Sequence, residues 1–579
     1  MQNVSDAWKE AHKQMLLPET FVEIAFNNVY WNVTCDSASD GLSFSNSMNT
    51  VNNIEYSTPE RRTLLERNIW LLDGSHDLMS DVSEYTPPGF VSYPASGWSC
   101  SRLRLGLPFK SYPAIPGFTI IWSKEYEEYA TDFEISVRDE NLNWVGEIRI
   151  SDNTSNITIV DLEVSKYTQI RIDVYGWSVP DRLHRIDSVI FGHRIVFDKN
   201  DILSYTHEQT GDLVCTELPK NYIEFSIDNS AGRWDLLNPN GLGKYLRERQ
   251  LLTVRYGLDI DGRTEWINGG KFYLSEWKAP SNGFEVSFVA RDLLEFALNV
   301  DFSRDKYYGV SRTDGLVAYS DLARSSQSGT FAVGESLCIY EEAYDDFGYL
   351  MYRTDRGWVW SDYVFSRVGR AIEDCIETLT LPNNAQIVHH EDLTTDRDMK
   401  PIIEKTNAAA FLQKCANVLC AAMWQDREGV VHIRPPELSL TDYTIPLSWA
   451  YSYPEIELTK PLKELTVTFY RRGKDNDSYT KTETISDQGE NIILDNPYCF
   501  DSGWVYQTEL DLFVNAWKSR KIVTGEFRAD PRLDLFDVVT VEGKYGDLSP
   551  VMITNIKYKY NGSFKCVYTG QIIEVDEGG

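Results

Sequence analysis

The sequence has few cysteines, and their spacing argues against a disulfide framework or a zinc site. The nine cysteines are odd in number, scattered, and never spaced as Cys-x-x-Cys. That pattern indicates folding in a reducing cytoplasm. The cysteines are Cys35, Cys100, Cys215, Cys338, Cys375, Cys415, Cys420, Cys499 and Cys566.

Long apolar segments are also missing. No apolar run reaches the roughly 18 residues of a membrane-spanning helix, so no such segment is predicted. Residues 1–14 are polar and lack the apolar core of a signal peptide. We therefore expect that a protein acting outside the cell would leave it by lysis or as part of a particle.

Catalytic motifs are absent as well. The sequence contains no Gly-x-Gly-x-x-Gly, phosphate loop, Gly-x-Ser-x-Gly or His-Glu-x-x-His. His389-His390-Glu391-Asp392 could ligate a metal, but adjacent histidines in a polar loop are more often solvated. A carboxylate pair for glycoside cleavage stays open because 87 acidic residues always supply candidates. We predict no enzyme, and assign no catalytic, cofactor-binding or metal-binding residues.

Positive charge is scarce relative to negative charge. The 579 residues include 87 acidic and 56 basic ones, a formal net charge of −31. An acidic surface repels phosphate, so sequence-specific nucleic-acid binding is not expected. Aromatic residues make up 13% of the chain, which favours β-rich architecture and exposed binding faces. The length predicts several domains with substantial cores.

The segment 217–296 organises the rest of the chain. Residues 222–228 alternate polar and apolar side chains, the pattern of a half-buried strand. Strands are also predicted at 251–257, 264–267, 271–274 and 284–290, separated by turn formers. Short strands without an intervening helix predict a small antiparallel barrel or sandwich.

Several motifs in this segment resemble one protein family. They are Asp-Asn-Ser-x-Gly-Arg-Trp at 228–234, Asn-Pro-x-Gly-Leu at 238–242, Val-Arg-Tyr-Gly at 254–257, Gly-Gly-x-Phe-Tyr-Leu at 269–274 and Ala-Arg-Asp-Leu-Leu at 290–294. In this order they resemble the tail-hub proteins of phages and prophages of Gram-positive bacteria, relatives of the baseplate hub of contractile tails. Asp-Pro-Arg-Leu-x-Leu-x-Asp-Val-Val at 530–539 is similar to the family's closing barrel. The resemblance covers roughly 1–58 and 196–579.

The resemblance implies a structural role in the virion, at the phage tail tip, after synthesis in the bacterial host cytoplasm. Two hub barrels would flank an α/β middle, and three chains would form a ring that joins the tail tube to the tip and lets DNA pass. The implied partners are the chain itself as a homotrimer, the distal tail protein, other tail-tip and tube proteins, and the tape measure protein. Many relatives continue into a peptidoglycan-cutting domain. Because this chain stops at Gly579, we do not expect that activity here.

Residues 59–195 are interpreted as an insertion. Strands recur about every ten residues, as in a β-sandwich. Residues 117–123, 130–133 and 185–192 resemble discoidin-like jelly rolls, the fold of many carbohydrate-binding modules. The candidate glycan-binding residues, chosen for flat faces or planar donors, are Tyr93, Trp98, Trp122, Tyr129, Trp177 and Arg182. Two alternatives stay open: these side chains are packing residues, or the insert contacts a neighbouring tail protein.

A second insertion is expected at 306–366. Its ending, Arg-Gly-Trp-Val-Trp-x-x-Tyr-Val at 356–364, resembles small Src-homology-type barrels that bind cell walls, although a β elaboration packed on the hub fits equally. Helices are predicted at 5–16 with Ser5 as N-cap, at 368–379, at 406–423 capped by Thr406 or Asn407, and at 510–519.

The predicted fold class is mainly β with a smaller α/β part, comprising two antiparallel β barrels of the tail-hub type and an inserted β-sandwich. The proposed divisions are 1–58 (first part of the hub barrel, with the N-terminal helix), 59–195 (insert), 196–305 (second part of that barrel), 306–366 (small β insertion), 367–455 (α/β middle) and 456–579 (C-terminal barrel). The alternative function is a secreted glycan-binding or glycan-cleaving protein.

Overall fold

The computed structural model is mainly β and divides into several sheets. No helix among the described residues is long and apolar enough to cross a membrane. The structure describes residues 1–14, 18–39, 46–54, 89–93, 100–108, 112–123, 126–235, 238, 241–260, 263–278, 283–294, 300–382, 385–389, 397–403, 405–436, 439–470, 478–500 and 520–573.

Elements are numbered in chain order. Those up to residue 302 are α1 (Asp6–Lys13), β1 (Thr20–Val29), β2 (Ser37–Ala38), β3 (Phe90–Ser92), β4 (Ser101–Gly106), β5 (Ile115–Ile121), β6 (Ala130–Asp139), β7 (Trp144–Ile150), β8 (Ile157–Val164), β9 (Tyr167–Trp177), β10 (His184–Ile186), β11 (Ser188–Phe197), β12 (Ile202–Thr210), β13 (Lys220–Asp228), β14 (Leu251–Ile260), β15 (Arg263–Lys278), β16 (Glu285–Arg291) and β17 (Asp301–Phe302). Those that follow are β18 (Tyr307–Ser311), β19 (Leu316–Tyr319), β20 (Gln327–Phe331), β21 (Ser336–Tyr344), β22 (Leu350–Thr354), β23 (Gly357–Trp360), β24 (Val364–Arg367), α2 (Val368–Thr378), β25 (Gln386–His389), β26 (Asp398–Met399), β27 (Thr406–Asn407), α3 (Ala408–Val418), β28 (Ala422–Gln425), β29 (Val430–Arg434), β30 (Leu440–Ile445), β31 (Glu455–Leu458), β32 (Leu462–Tyr470), β33 (Ser478–Thr484), β34 (Glu490–Phe500), β35 (Lys521–Arg528), β36 (Val538–Glu542), β37 (Leu548–Tyr560) and β38 (Phe564–Ile572). Short 3-10 helices lie at Ser47–Thr50, Leu242–Tyr245, Ser361–Tyr363 and Leu447–Trp449.

One 15-stranded sheet joins the two segments that resemble the hub family. Its order is β31-β35-β38-β37-β12-β13-β16-β15-β14-β1-β11-β5-β8, with β36 and β30 branching from β37. The junction is the antiparallel pair of β12 and β37, in register from Tyr205 opposite Tyr560 to Thr210 opposite Asn555. Side chains from both segments share one hydrophobic core, and we use the label hub, after that resemblance, for the part of the chain built around it. Among the described strands the hydrogen bonds form this branched sheet, so the prediction of two closed barrels is not confirmed.

The N-terminal helix α1 lies on this core. Ser5 is its N-cap, and the Ser5 hydroxyl accepts a hydrogen bond from the backbone N–H of Trp8 at 3.0 Å. Trp8 and Ala11 pack into the core of the large sheet. The prediction of a capped helix here is confirmed as far as Lys13; residues 15–17 are outside the described residues.

The sandwich has its own core. A five-stranded sheet in the order β2-β4-β9-β6-β7 packs against the β5-β8-β11 end of the large sheet. Strand β11 belongs to both parts, since Ser188–Phe191 pairs with β5 and Gly192–Phe197 pairs with β1. Gly192 has φ +129°, and a Cβ there would lie 2.1 Å from the Asn28 carbonyl oxygen, so glycine is required where the strand changes partners. Val33 also packs on this core, although it precedes residue 59.

The 306–366 segment and the α/β middle share a third core. An eight-stranded sheet in the order β20-β19-β23-β22-β21-β18-β24-β26 packs with α2, α3 and the β25-β29-β28 sheet. Helix α2 confirms the prediction at 368–379. Helix α3 is capped by Asn407 as predicted but ends earlier than expected, because Cys420 adopts φ 51° and the chain then enters β28. The helix predicted at 510–519 is outside the described residues.

Candidate functional site

A buried polar cluster lies at one end of the sandwich. The Glu128 carboxylate accepts hydrogen bonds from Trp177 Nε1 at 2.9 Å and from the Arg182 guanidinium at 2.6 Å. The Trp177 ring stacks on His184 at 4.9 Å between centroids, and His184 Nδ1 lies 2.8 Å from Ser101 Oγ. Burial and then the nearby Arg185 lower the pKa of His184 to about 4. These groups satisfy one another and hold the strand ends together.

The six predicted glycan-binding residues are placed very differently. Trp177 and Arg182 meet in the polar cluster, where Arg182 is buried against Glu128. Trp122 is 0% exposed and donates from Nε1 to Thr158 Oγ1 at 2.9 Å, so its ring face is not accessible to a sugar. Tyr129 packs half-buried on the sandwich core, whereas Tyr93 is 70% exposed. Trp98 is outside the described residues.

A second surface of the sandwich carries charged and aromatic side chains that the sequence analysis did not single out. It is the outward face of β4, β9, β6 and β7, which we call the arginine face. Strand alternation places polar or aromatic residues outward and apolar ones in the core. The outward residues are Arg102, Arg104, Asp132, Glu134, Ser136, Arg138, Trp144, Glu147, Arg149, Gln169, Arg171, Asp173 and Tyr175.

Ion pairs fix part of this face. Arg102 and Arg171 both contact the Asp173 carboxylate, and Arg171 lies 3.1 Å from it. Arg149 binds Asp132 through two hydrogen bonds, of 3.0 and 2.7 Å. The bidentate geometry holds the guanidinium planes in place. The arginine face is therefore an ordered polar surface.

Trp144 lies at the edge of the arginine face. The ring is 46% exposed, and the guanidinium carbon of Arg138 lies 3.9 Å from its centroid. The guanidinium carbon of Arg171 lies 4.8 Å from the same centroid. Both distances fit cation–π contact. The alternation of charged and apolar residues in 132–138 and 169–175 is the sequence signal that could have revealed this face.

The 530–539 motif forms one of the contacts between the hub and α1. Asp530 is fully buried and accepts hydrogen bonds from Arg532 Nε at 2.8 and 3.0 Å. His12 of α1 lies beside it, with Nε2 donating to the Ala529 carbonyl oxygen at 3.0 Å. Burial opposes ionisation of Asp530, but His12 and Arg532 outweigh it and keep the pKa below its ordinary value. The backbone N–H of Gln2 donates to the Arg532 carbonyl oxygen at 2.9 Å.

Arg427 links the α/β middle to both hub segments. Its side chain is 3% exposed and donates to Asp534 Oδ1 at 2.6 Å. It also donates to the carbonyl oxygens of Asn268 at 2.7 Å and Leu533 at 2.8 Å. One guanidinium therefore satisfies acceptors from two segments that are far apart in sequence.

Buried tyrosines and a histidine lie nearby in the hub core. Tyr205 and Tyr256 hydroxyls are 2.7 Å apart, and His207 Nδ1 lies 2.8 Å from the Tyr256 hydroxyl. His207 Nε2 lies 3.0 Å from Asn221 Oδ1. Because an amide oxygen only accepts hydrogen bonds, Nε2 carries the proton and donates it. Burial lowers the pKa of His207 to about 4. This neutral network is a structural feature of the hub.

Metal ligation has no support in the described part of the chain, where no group of three or more His, Cys, Asp and Glu residues could hold an ion. His389 Nε2 lies 3.6 Å from Glu373, while His390, Glu391 and Asp392 are outside the described residues. Burial raises the pKa of the Cys415 and Cys566 thiols, which makes them poor nucleophiles.

A cavity of about 430 Å³ separates strands β14 and β15 from the α/β middle. Trp31, Tyr273, Lys271 and Glu428 line it. It lies between the hub and the α/β middle rather than in the sandwich.

No family model and no curated protein matches the chain. Among solved structures it is similar to phage and prophage tail proteins. One is the tail protein from Neisseria meningitidis MC58, at 11% identity and a TM-score of 0.37, covering 68% of this chain and 94% of that one. Another is the 43 kDa tail protein of prophage MuSo2 from Shewanella oneidensis, at 9% identity and 0.39, covering 65% and 95%. A third is prophage tail protein gp18 from Listeria monocytogenes EGD-e, at 9% identity and 0.36, covering 67% and 92%.

Proposed function

We propose that this protein is a structural component of a phage tail tip, the hub of a baseplate or tail end. The observation that carries the proposal is the continuous sheet built from residues on both sides of the insert and from the C-terminal segment. The motifs that resemble the hub family meet in that sheet. The 530–539 turn contacts α1 through Asp530 and His12. The sandwich folds around a separate core, as expected of a module added to a scaffold.

The hub is proposed to assemble as a homotrimeric ring. Among the described strands β31 ends the large sheet, and all four of its residues are exposed there. Ile456 and Leu458 are 54% and 61% exposed on this edge. An exposed apolar edge strand invites pairing with another chain. We infer that β31 lies in the contact between copies of this chain.

The ring would join the tail tube to the tip and let DNA pass. The net charge of −31 suits a lumen that does not retain a polyanion. In the virion the partners would be the distal tail protein, other tail-tip and tube proteins, and the tape measure protein. Host cytoplasmic synthesis fits the free, largely buried cysteines.

Electron microscopy of the purified full-length protein tests the ring. Class averages without imposed symmetry are expected to show three-fold particles, and mass photometry should give a trimer at micromolar concentration. The double variant Ile456→Glu/Leu458→Glu should shift the protein to monomer because it charges the edge. Val333→Glu, at an exposed apolar residue of the 306–366 segment, is the matched control. A monomer at every concentration, together with a single copy in the particle, would contradict the proposal.

The insert is proposed to face outward and to bind host surface glycan weakly, with three copies adding avidity. Particles that lack the insert should assemble but adsorb poorly to host cells. Normal adsorption would remove the host-binding role, and failed assembly would show that the insert is a scaffold contact.

No polysaccharide or peptidoglycan cleavage is proposed. Incubation with host cell walls should release no reducing ends or muropeptides. Release that one carboxylate-pair substitution abolishes would contradict this.

A further inference from the structure

We propose that the arginine face of the sandwich binds polysaccharides that carry carboxylate or phosphate groups. The inference deepens the proposed function, since it rests on the insert being host-facing and names the surface and ligand chemistry. The residues that carry it are Arg104, Arg138, Trp144, Arg171, Tyr175 and Glu147.

Charge balance on the face is the first argument. Arginines outnumber carboxylates there, whereas the whole chain has 87 acidic residues against 56 basic ones. Arg102, Arg149 and Arg171 each have a carboxylate partner. Among the described residues no carboxylate pairs with Arg104 or Arg138, and Arg138 Nε lacks a hydrogen-bond partner. Two guanidiniums without acidic partners in the described part of such an acidic chain point to an anion from outside.

Register is the second argument. Arg104 lies opposite Arg171, and Arg171 lies opposite Ser136, on neighbouring strands. Arg138 lies opposite Trp144 on the next pair. Neighbouring strands are about 4.8 Å apart, a spacing comparable to the length of one sugar ring. A chain of sugars laid across the strands would meet Arg104, Arg171, Ser136 and Glu147 in one row, and Gln169, Arg138 and Trp144 in the next. Each row therefore presents at least one guanidinium, and the second row also presents an indole.

The chemistry of the side chains is the third argument. A guanidinium donates two parallel hydrogen bonds to a carboxylate or phosphate. Exposed Trp144 and Tyr175, 46% and 39% exposed, offer ring surface for stacking on the apolar face of a sugar. The guanidinium of Arg149 lies 4.6 Å from the Tyr175 ring, so this ring is also held in place. Ordered side chains lose little entropy when they bind.

An acidic surface of another tail protein would also satisfy the charges. Exposed indole surface between guanidiniums favours a sugar, because acidic protein surfaces are rich in hydrated carboxylates and offer few flat apolar rings. We therefore propose a polysaccharide as the ligand. Binding of an acidic protein instead would be detected by the cross-linking described below.

The test uses the full-length protein and three soluble probes: polygalacturonate, a phosphomannan and neutral dextran. Calorimetric titration in low salt should show at least about tenfold tighter binding of one or both anionic probes than of dextran. Arg104→Gln and Arg138→Gln should each weaken that binding by about tenfold, and salt should weaken it further. Glu147→Gln should strengthen it, because an exposed carboxylate beside Ser136 is removed. Arg353→Gln, an exposed ion-pair arginine in the 306–366 segment, is the control and should bind like wild type.

The outcomes separate this inference from the proposed function. Anionic binding that the arginine substitutions leave unchanged overturns the inference, while a host-facing insert that binds glycan elsewhere remains. Equal binding of dextran, or no binding of any probe, also overturns it. Cross-linking of the arginine face to an acidic tail protein in intact particles would do the same. Ring symmetry is measured independently, so its loss would refute the hub and not this face.

Discussion

Two pairs of arginines, one at the hub and one on the sandwich, have different surroundings. Arg427 of the α/β middle and Arg532 are buried against the hub, and their donors bind carboxylates and carbonyl oxygens of the same chain. In the sandwich, Arg104 and Arg138 lie on an open sheet face without carboxylate partners among the described residues. The hub arginines are satisfied internally, so they stabilise the fold. Arg104 and Arg138 have no such partner among the described residues, so their donors are the ones proposed to bind a ligand.

The difference follows from what each arginine contacts: other parts of the fold at the hub, and the outer surface of the sandwich. Arg427 lies where the α/β middle meets two hub segments, and a planar donor fork fixes one arrangement of the three. The arginine face covers a core that is complete without it, since the inward residues of β6 and β9 are buried and apolar. Arg104 and Arg138 are therefore not needed to complete the core, and they are the residues proposed to serve recognition.

The largest expected effect is on Arg427. Arg427→Ala should lower the free energy of unfolding by about 3–5 kcal/mol, because it leaves Asp534 and two carbonyl oxygens without their donor. Thermal and denaturant unfolding of the full chain would measure the loss. Arg353→Ala, which removes an exposed pair with Glu341, should stay close to wild type. Equal stability of the two variants would show that the buried network contributes nothing special.

Because the hub and the sandwich have separate cores, a substitution in one core should destabilise that part alone. Phe288 is buried in the hub core and Phe133 in the sandwich core. Each Phe→Ala substitution should cost about 3–5 kcal/mol. If the two parts unfold in distinct calorimetric transitions, Phe288→Ala should shift one and Phe133→Ala the other. A shift of both transitions by either variant would mean that the shared strand β11 makes them cooperative.

Local patterns in the sequence predicted much of the fold. The Ser5 cap, the apolar face of α2 and the Asn407 cap are set by residues within one or two turns. The pairing of β12 with β37 was not predictable in this way, because it joins Tyr205 to Tyr560 and no local pattern specifies such a partner. The end of α3 at Val418, shortly before Cys420 adopts φ 51°, was missed because helical spacing continues past it in the sequence.

The candidate site was harder to predict than the fold. Choosing aromatic residues by type could not separate Trp122, which is in the core, from Trp144, which is on the surface. Arg182 has suitable chemistry for a sugar, but Glu128 binds it. Only the partners of each side chain decide whether its donors are free, and those partners depend on strand register. The alternation of polar and apolar residues within β6 and β9 does identify the residues of the outward face, so this face could have been predicted from the sequence.

Acid should destabilise both regions through buried histidines. His207 in the hub and His184 in the sandwich each have a pKa lowered to about 4 by burial. In the unfolded chain each histidine has its ordinary pKa of about 6.5 and binds a proton below that pH. The stability of the fold is therefore complete above pH 6.5 and decreases as the pH falls from 6.5 to 4. Each histidine should account for a loss on the order of 3 kcal/mol at the acid end. Melting temperatures from pH 7.5 to 4 would measure it.

Substitutions tell the two histidines apart. His207→Gln should flatten the pH dependence of the hub transition, and His184→Gln that of the sandwich transition, since glutamine does not titrate. A pH dependence that neither substitution changes would assign the loss of stability to other groups, such as His12, whose pKa burial also lowers.

The smallest expected effect is on the arginine face, and it decides whether that face is built for stability or for recognition. Arg104→Gln removes no pair with a carboxylate among the described residues, so the free energy of unfolding should change by less than about 0.5 kcal/mol. Arg138→Gln removes the stacking on Trp144 and should cost about 0.5–1 kcal/mol. Both variants should therefore be folded when their affinity for anionic polysaccharide is measured. A large loss of stability from Arg104→Gln would mean that the exposed guanidinium supports the sandwich as Arg427 supports the hub, and the contrast between the two regions would fail.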